Sequence, residues 1–344
     1  MRKSHLGIMV ADVKKQGIFT PSQLAVQIAK DAGIKDVVSI RLIHEGATYV
    51  YQINEEFILK LAAVEACEGD TNCIQEFCID NLIKEYEILD HLHQYPEIPS
   101  AEVIDFGMKP RCYLLMKRFT GQALRHVWPR LNQQKRLDIC FKMGQLLGKL
   151  HRVPVDTFSS QTWYFSPSQW KSVITDNIFT GEYHRLSPQE QSGVRTYVEK
   201  HQTVLDVDYT PALLHREFND NEIFVSRLRA GSASRDEDEY EISGICDFEN
   251  SLIGHYELDW VEVSKTMGTA PNLIAHFLAG YKSTCFSLSP CSVERLTLYA
   301  LHELMEYLPK EDKNTIHSWI DRRQDRWQSW CYWTNIKAAT AMVS

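Results

Sequence analysis

The sequence has no apolar run of the ~18 residues that a membrane span requires. Its first apolar stretch, Leu6 to Ala11, ends at Asp12 and is shorter than the core of a secretion signal. An integral membrane protein is therefore not expected, and the cytoplasm is the default location. Cys-x-x-Cys pairs are missing too. The nine cysteines, at 67, 73, 78, 112, 140, 246, 285, 291 and 331, are odd in number. That pattern disfavours a disulfide framework or a zinc site and fits reduced thiols. There is no basic excess: 37 Lys and Arg stand against 45 Asp and Glu, a net charge of −8. Nucleic acid is not the expected partner, whereas a cationic small molecule is compatible. Internal repeats are absent as well.

What is present is ordinary globular material. Of the 344 residues, 44% are hydrophobic, 24% charged and 11% aromatic, which excludes disordered, collagen-like and coiled-coil chains. The length suggests two domains or two lobes. Thr20-Pro21 is a helix start, with Leu24, Ile28 and Ala32 at helical spacing up to Gly33. Three β-branched and aromatic runs follow, Val37 to Ile43, Tyr49 to Ile53 and Phe57 to Leu61. The turn between the first two, 44–48, holds one glycine, Gly46. A long helix is predicted over about Cys73 to His93, with Phe77, Leu82, Ile83, Tyr86 and Leu89 on its apolar side. Val103 to Phe106 and Cys112 to Met116 read as further strands. Beyond about 118 the pattern turns helical, as in Leu137 to Leu150, broken by strands at Ile223 to Val225 and Ile242 to Cys246. Arg229 to Glu241 between them, with its run of Asp and Glu, reads as an exposed loop.

Three segments carry chemistry. In residues 213–225 an apolar strand runs into the polar cluster His215-Arg216-Glu217-Phe218-Asn219-Asp220-Asn221-Glu222, and a second apolar strand leaves it. Such a cluster is costly between buried strands unless it hydrogen-bonds or binds something. In residues 242–250, Asp247 ends a second apolar strand. Carboxylates at the ends of two adjoining strands suit a hard divalent cation such as Mg²⁺. Lys60 sits inside the apolar strand Phe57 to Leu61, suited to phosphate and to an acidic partner, for which Glu85 is placed on the following helix.

In this order the segments resemble the aminoglycoside phosphotransferase (choline-kinase-like) family of small-molecule kinases, over about residues 35–310. Residues 213–225 are similar to the family's Leu-Val-His-Gly-Asp-Leu-x-x-x-Asn-Ile-Leu-Val segment, and residues 244–248 to its Gly-x-Ile-Asp-Phe. Gly254 with Leu258-Asp259 resembles the continuation of that segment. Met143 to His151 resembles the Leu-Gly-x-x-Leu-Ala-x-Leu-His helix, and Tyr113 to Met116 through Gly121 the hinge.

The resemblance implies an α+β, two-lobed, protein-kinase-like fold. Residues 1–118 would form a nucleotide-binding lobe of antiparallel sheet plus helix, and 119–344 a mainly helical catalytic and substrate-binding lobe. It implies ATP and Mg²⁺ as cofactors and transfer to a hydroxyl of a small-molecule acceptor. Adenine would lie against Met116 to Arg118. Lys60 would hold the α/β-phosphates with Glu85 as its partner, and Gly46 and Thr48 would lie over the phosphates. Glu217 and His215 are the catalytic candidates, Asp247 and Glu222 the metal ligands. The loop departs from the family in three places: Arg216 replaces glycine, Glu217 replaces the catalytic aspartate, and Glu222 stands where the second metal ligand is Asn, with Asn221 one position early. An active kinase, a catalytically silent nucleotide- or partner-binding module, and a kinase-like fold with other nucleotide chemistry are the resulting readings. All the hydrogen-bonding residue types survive, which favours activity. For the acceptor side, Trp163, Tyr164, Phe165, Trp170 and the C-terminal aromatics Trp319, Trp327, Trp330, Tyr332 and Trp333 are candidates, with the C-terminal set better read as a buried stripe. Glu257, Glu262, Glu303 and Glu306 are candidate contacts for an amine-bearing acceptor.

Overall fold

The computed structural model describes residues 20–46, 48–63, 71–228, 239–268, 270–284 and 290–306, with side chains from 77 onward in the helix that begins at 71. The C-terminal aromatics and most of the 229–241 loop lie outside the described residues. Contacts divide the chain into two units, Met1–Pro96 with Ser100–Phe119, and Glu97–Pro99 with Thr120–Ser344.

The first unit begins with α1 (Pro21–Asp31). Thr20 and Gln23 cap each other's backbone N–H, and Pro21 occupies the first turn, where its missing N–H costs nothing. The helix is terminated at Gly33, whose φ of 90° suits glycine. Its buried face, Leu24, Ala25, Ile28 and Ala29, packs on a five-stranded antiparallel sheet. The strands are β1 (Ile40–Glu45), β2 (Thr48–Ile53), β3 (Phe57–Ala62), β4 (Val103–Gly107) and β5 (Tyr113–Lys117), in the order β1-β2-β3-β5-β4. The first strand starts later than its apolar pattern suggests, and Val38 is exposed. On α2 (Thr71–Leu92) the side chains of Cys78, Leu82, Glu85, Ile88, Leu89 and Leu92 are buried. Phe77, expected on the apolar side, is 56% exposed. The buried place is taken by the next residue, Cys78, so the stripe is offset by one residue there.

The second unit is mainly helical: α3 (Gln133–Leu150), α4 (Pro167–Thr180), α5 (Pro188–His201), α6 (Asp259–Met267), α7 (Pro271–Lys282) and α8 (Val293–Glu306). The helices α3 and α7 approach backbone to backbone. A Cβ on Gly144 would lie 1.9 Å from the Phe277 carbonyl oxygen, and one on Gly280 would lie 1.9 Å from that of Phe141. Two small antiparallel sheets carry the polar segments. One has the order β6 (Gln122–Ala123), β8 (Ile223–Leu228), β9 (Glu239–Ile245); the other pairs β7 (Ala212–Leu214) with β10 (Leu252–Gly254). The strand β8 runs on to Leu228, beyond its apolar pattern, and β9 begins at Glu239 inside the expected loop, so Glu239 to Glu241 are strand. Trp170 is fully buried and donates to the Tyr299 hydroxyl at 2.9 Å, which makes it core rather than acceptor wall. Among the described residues no helix is long and apolar enough to cross a membrane.

Candidate active site

In the first unit, Lys60 lies in register with Val50 and Leu114 of the neighbouring strands. Its ammonium donates to Glu85 Oε2 at 2.7 Å, and both side chains are buried. A buried ion pair on a sheet otherwise apolar is a weak stabiliser, because desolvation cancels much of the attraction. Thr48 is buried at the start of β2, and its carbonyl accepts from Gly46 N–H at 3.2 Å, closing the single-glycine turn. Met116 is buried; Arg118 is exposed, with its N–H bonded to the Glu56 carbonyl at 2.7 Å.

In the second unit, the strand β7 ends at Leu214 and delivers His215, Arg216 and Glu217. Asp259, fully buried at the start of α6, receives three donors. His215 N–H reaches Oδ2 at 2.9 Å, Arg216 N–H reaches Oδ1 at 2.6 Å, and His151 Nε2 reaches Oδ2 at 2.9 Å. His151 in turn accepts from the Tyr281 hydroxyl at 2.6 Å. One carboxylate thus pins two successive backbone amides, and with them the path of the loop. His215 is fully buried. Its Nε2 must donate, since its partner is the Cys246 carbonyl at 2.8 Å, and Nδ1 accepts from Glu217 N–H at 3.2 Å. The imidazole is consumed in tying the two polar segments together. Both ring nitrogens are thereby bonded within these segments.

Arg216 has a φ of 68°, a left-handed conformation that favours glycine. Its side chain is held where a glycine would offer nothing: Nη2 donates to Glu303 Oε1 at 2.8 Å and to Glu306 Oε2. Burial opposes the guanidinium charge, but the two carboxylates outweigh it and keep the group charged. Glu303 and Glu306, candidate acceptor contacts by sequence, are therefore already engaged. Glu257 is fully buried, and Arg295 donates to both its oxygens at 2.7 Å, so it is no acceptor contact either. Glu262 is buried with Asn219 Nδ2 at 3.1 Å and Lys265 for partners.

Glu217, Glu222 and Asp247 converge. Burial first, then the charges of Asp247 and Glu222, push the Glu217 carboxyl up to about 7 against a hydrogen bond from Asn250. Glu222 lies at the start of β8, where its Oε2 accepts from the Cys246 thiol at 3.3 Å. Asp247 ends the opposite strand with a φ of 69°. Asn221, the alternative to Glu222, is exposed, and its Oδ1 accepts from Arg125 at 3.1 Å. The role of Asp259 was not read from the sequence; its place in the order of motifs was visible, but its three donors come from segments 44 and 108 residues away.

A sequence profile of the phosphotransferase enzyme family matches residues 39–291. The chain belongs to that family. The fold is that of solved family structures, at identities that carry fold and no more. The GDP complex of wild-type aminoglycoside 2'-phosphotransferase-IIIa is 14% identical, with 90% of this chain and 98% of that one covered and a TM-score of 0.61. ADP-bound aminoglycoside phosphotransferase APH(2'')-Ib is 12% identical, with 91% and 99% covered and a TM-score of 0.55. The streptomycin–ATP–APH(2'')-IIa ternary complex is 11% identical, with 83% and 93% covered and a TM-score of 0.54. No curated protein matches the sequence.

Proposed function

We propose that this phosphotransferase-family protein is an ATP- and Mg²⁺-dependent O-phosphotransferase acting on a hydroxyl of a small molecule. The observation that carries the reading is the convergence of Glu217, Glu222 and Asp247. Burial first, and then the neighbouring charges of Asp247 and Glu222, lift the Glu217 carboxyl to about 7, and a divalent cation offsets the charge of three such carboxylates. Asp247 and Glu222 are assigned to hold Mg²⁺, which neutralises charge on the phosphates when bound. Glu222 is preferred over Asn221, whose oxygen is occupied by Arg125. Glu217 orients the acceptor hydroxyl and takes its proton; His215 is a positioning residue. Within the nucleotide-binding lobe, residues 1–118, Lys60 is assigned to the phosphates with Glu85 fixing its ammonium, Gly46 and Thr48 to the covering turn, and Met116 to Arg118 to the base. The solved relatives are complexes of GDP, ADP or ATP, and one holds streptomycin. These names support a nucleotide donor and leave an amine-bearing acceptor open.

The test is a thermal-shift titration with ATP, with and without Mg²⁺, on the wild type and on Asp247→Ala, followed by ADP release over a panel of hydroxylated amines and polyols. At ~100 times the dissociation constant, ligand adds about 2.7 kcal/mol of stability. A Mg²⁺-dependent shift that Asp247→Ala loses, with ADP release on some acceptor, is the expected result. No shift with any nucleotide would overturn the proposal and leave a silent module.

A further inference from the structure

The last turns of α8 carry His302, Glu303 and Glu306, a cluster that the proposed phosphoryl transfer does not use. One nitrogen or oxygen from each of the three lies within 4.8 Å of the other two. His302 and Glu306 are four residues apart and share a helix face. His302 Nε2 stands 3.9 Å from Glu303 Oε1 and 3.9 Å from Glu306 Oε1. Both gaps are too long for a hydrogen bond. A single ion bonded at ~2.0–2.2 Å to each atom spans them.

The independent observation is His302 itself. It is fully buried, and neither ring nitrogen has a hydrogen-bond partner. An imidazole in that state is costly, and a bound ion or water is among the few physical reasons for it. Burial, then the cation of Arg216, holds its pKa well below the ordinary value, so it is neutral, the form that ligates.

We propose that His302, Glu303 and Glu306 form a second divalent-cation site, distinct from Asp247 and Glu222, for a zinc-class transition ion. One imidazole nitrogen with two carboxylates suits Zn²⁺ or Co²⁺ better than Mg²⁺, whose sites are built from oxygen. Arg216 does not fill this site. It bonds Glu306 through Oε2, whereas Oε1 faces His302. On Glu303 it bonds Oε1, the same oxygen that lies 3.9 Å from His302 Nε2, so there the ion and the guanidinium share one carboxylate oxygen. Its Nε is buried without a partner, so the guanidinium is only partly used where it stands. The ion and Arg216 share two carboxylates and repel each other. Occupation therefore loosens the hold of α8 on the loop that carries Glu217, which gives the ion a route to modulate that loop.

The test needs no acceptor. The full chain is stripped of metal by chelation and titrated with Co²⁺, then Zn²⁺, with Mg²⁺ in excess to fill the other carboxylates. One saturable equivalent with ligand-field absorption and no thiolate charge-transfer band is expected. Glu306→Gln, a partly exposed and nearly isosteric change, weakens binding at least the ~10-fold that disturbing a ligand's support already costs. His302→Gln does the same, with circular dichroism confirming that both variants fold. The absence of saturable binding, equal affinity in wild type and Glu306→Gln, or a thiolate band placing the ion on cysteine would each overturn the site. Failure here leaves the Asp247 thermal shift untouched, so the two proposals fall separately.

Discussion

Residue 216 stands in left-handed backbone that costs an ordinary side chain about 1–2 kcal/mol. The strain persists because Asp259 fixes the amide and Glu303 and Glu306 fix the guanidinium. Two substitutions separate these effects. Arg216→Ala keeps the strain and leaves two half-buried carboxylates uncompensated, so it destabilises by about 1–3 kcal/mol in chemical denaturation. Arg216→Gly also relieves the strain and is milder by about 1 kcal/mol. Equal losses in both would mean that the backbone is not strained. At Glu217 the argument is one of reach. The loop amides are bolted to Asp259 and His215, so the backbone does not follow a shorter side chain. Glu217→Asp withdraws the carboxyl by about 1 Å, and turnover on an identified acceptor falls on the order of 100-fold. Unchanged turnover would show that the loop adjusts and that the longer side chain is not required.

Among the elements, α1 is the one whose boundaries were plainest in the sequence. Thr20, Pro21 and Gln23 are local signals for a helix start, and the structure uses all three. Thr20→Ala costs about 1 kcal/mol in the folding free energy of that unit. The pairing of α3 with α7 rests on a different kind of fact. Gly144 and Gly280 read as poor helix formers, and only the packing shows that each admits the other helix's backbone. Gly144→Ala forces a Cβ onto the Phe277 carbonyl oxygen and destabilises by about 1–3 kcal/mol despite alanine's higher helix propensity. Thermal melts that show Gly144→Ala to be neutral or stabilising would refute this contact. The offset of Phe77 has a like origin, since periodicity gives a face to within one residue and the neighbouring sheet decides which residue is covered.

At the scale of the whole molecule, buried protonated groups set the alkaline limit. Burial pushes the thiols of Cys112 and Cys140 up to about 12, and burial together with Asp105 pushes the Tyr113 phenol up to about 12. Tyr209, Tyr281 and Tyr299 are raised as well, by burial first. In each case the folded pKa exceeds the unfolded one, so the unfolded chain loses its proton first as pH rises. Their contribution is intact below about 8.5, where unfolded thiols begin to ionise, and is lost progressively towards pH 12. Urea midpoints should fall steadily between pH 8.5 and 11; a flat profile would mean that these groups are open to solvent in the native state.

The sequence by itself determined the fold class, the order of the strands and helices in the chain, and the segments that carry His215, Glu217, Glu222 and Asp247, because those properties reside in local pattern and motif order. Tertiary structure alone decided what these residues do to one another. It bonded His215 to the Cys246 carbonyl, made Asp259 the anchor of the loop, and paired Glu257 with Arg295 and both Glu303 and Glu306 with Arg216. Hydrogen bonds and charge pairs between residues 31 to 130 positions apart depend on which surfaces are buried together, and neither periodicity nor spacing carries that information.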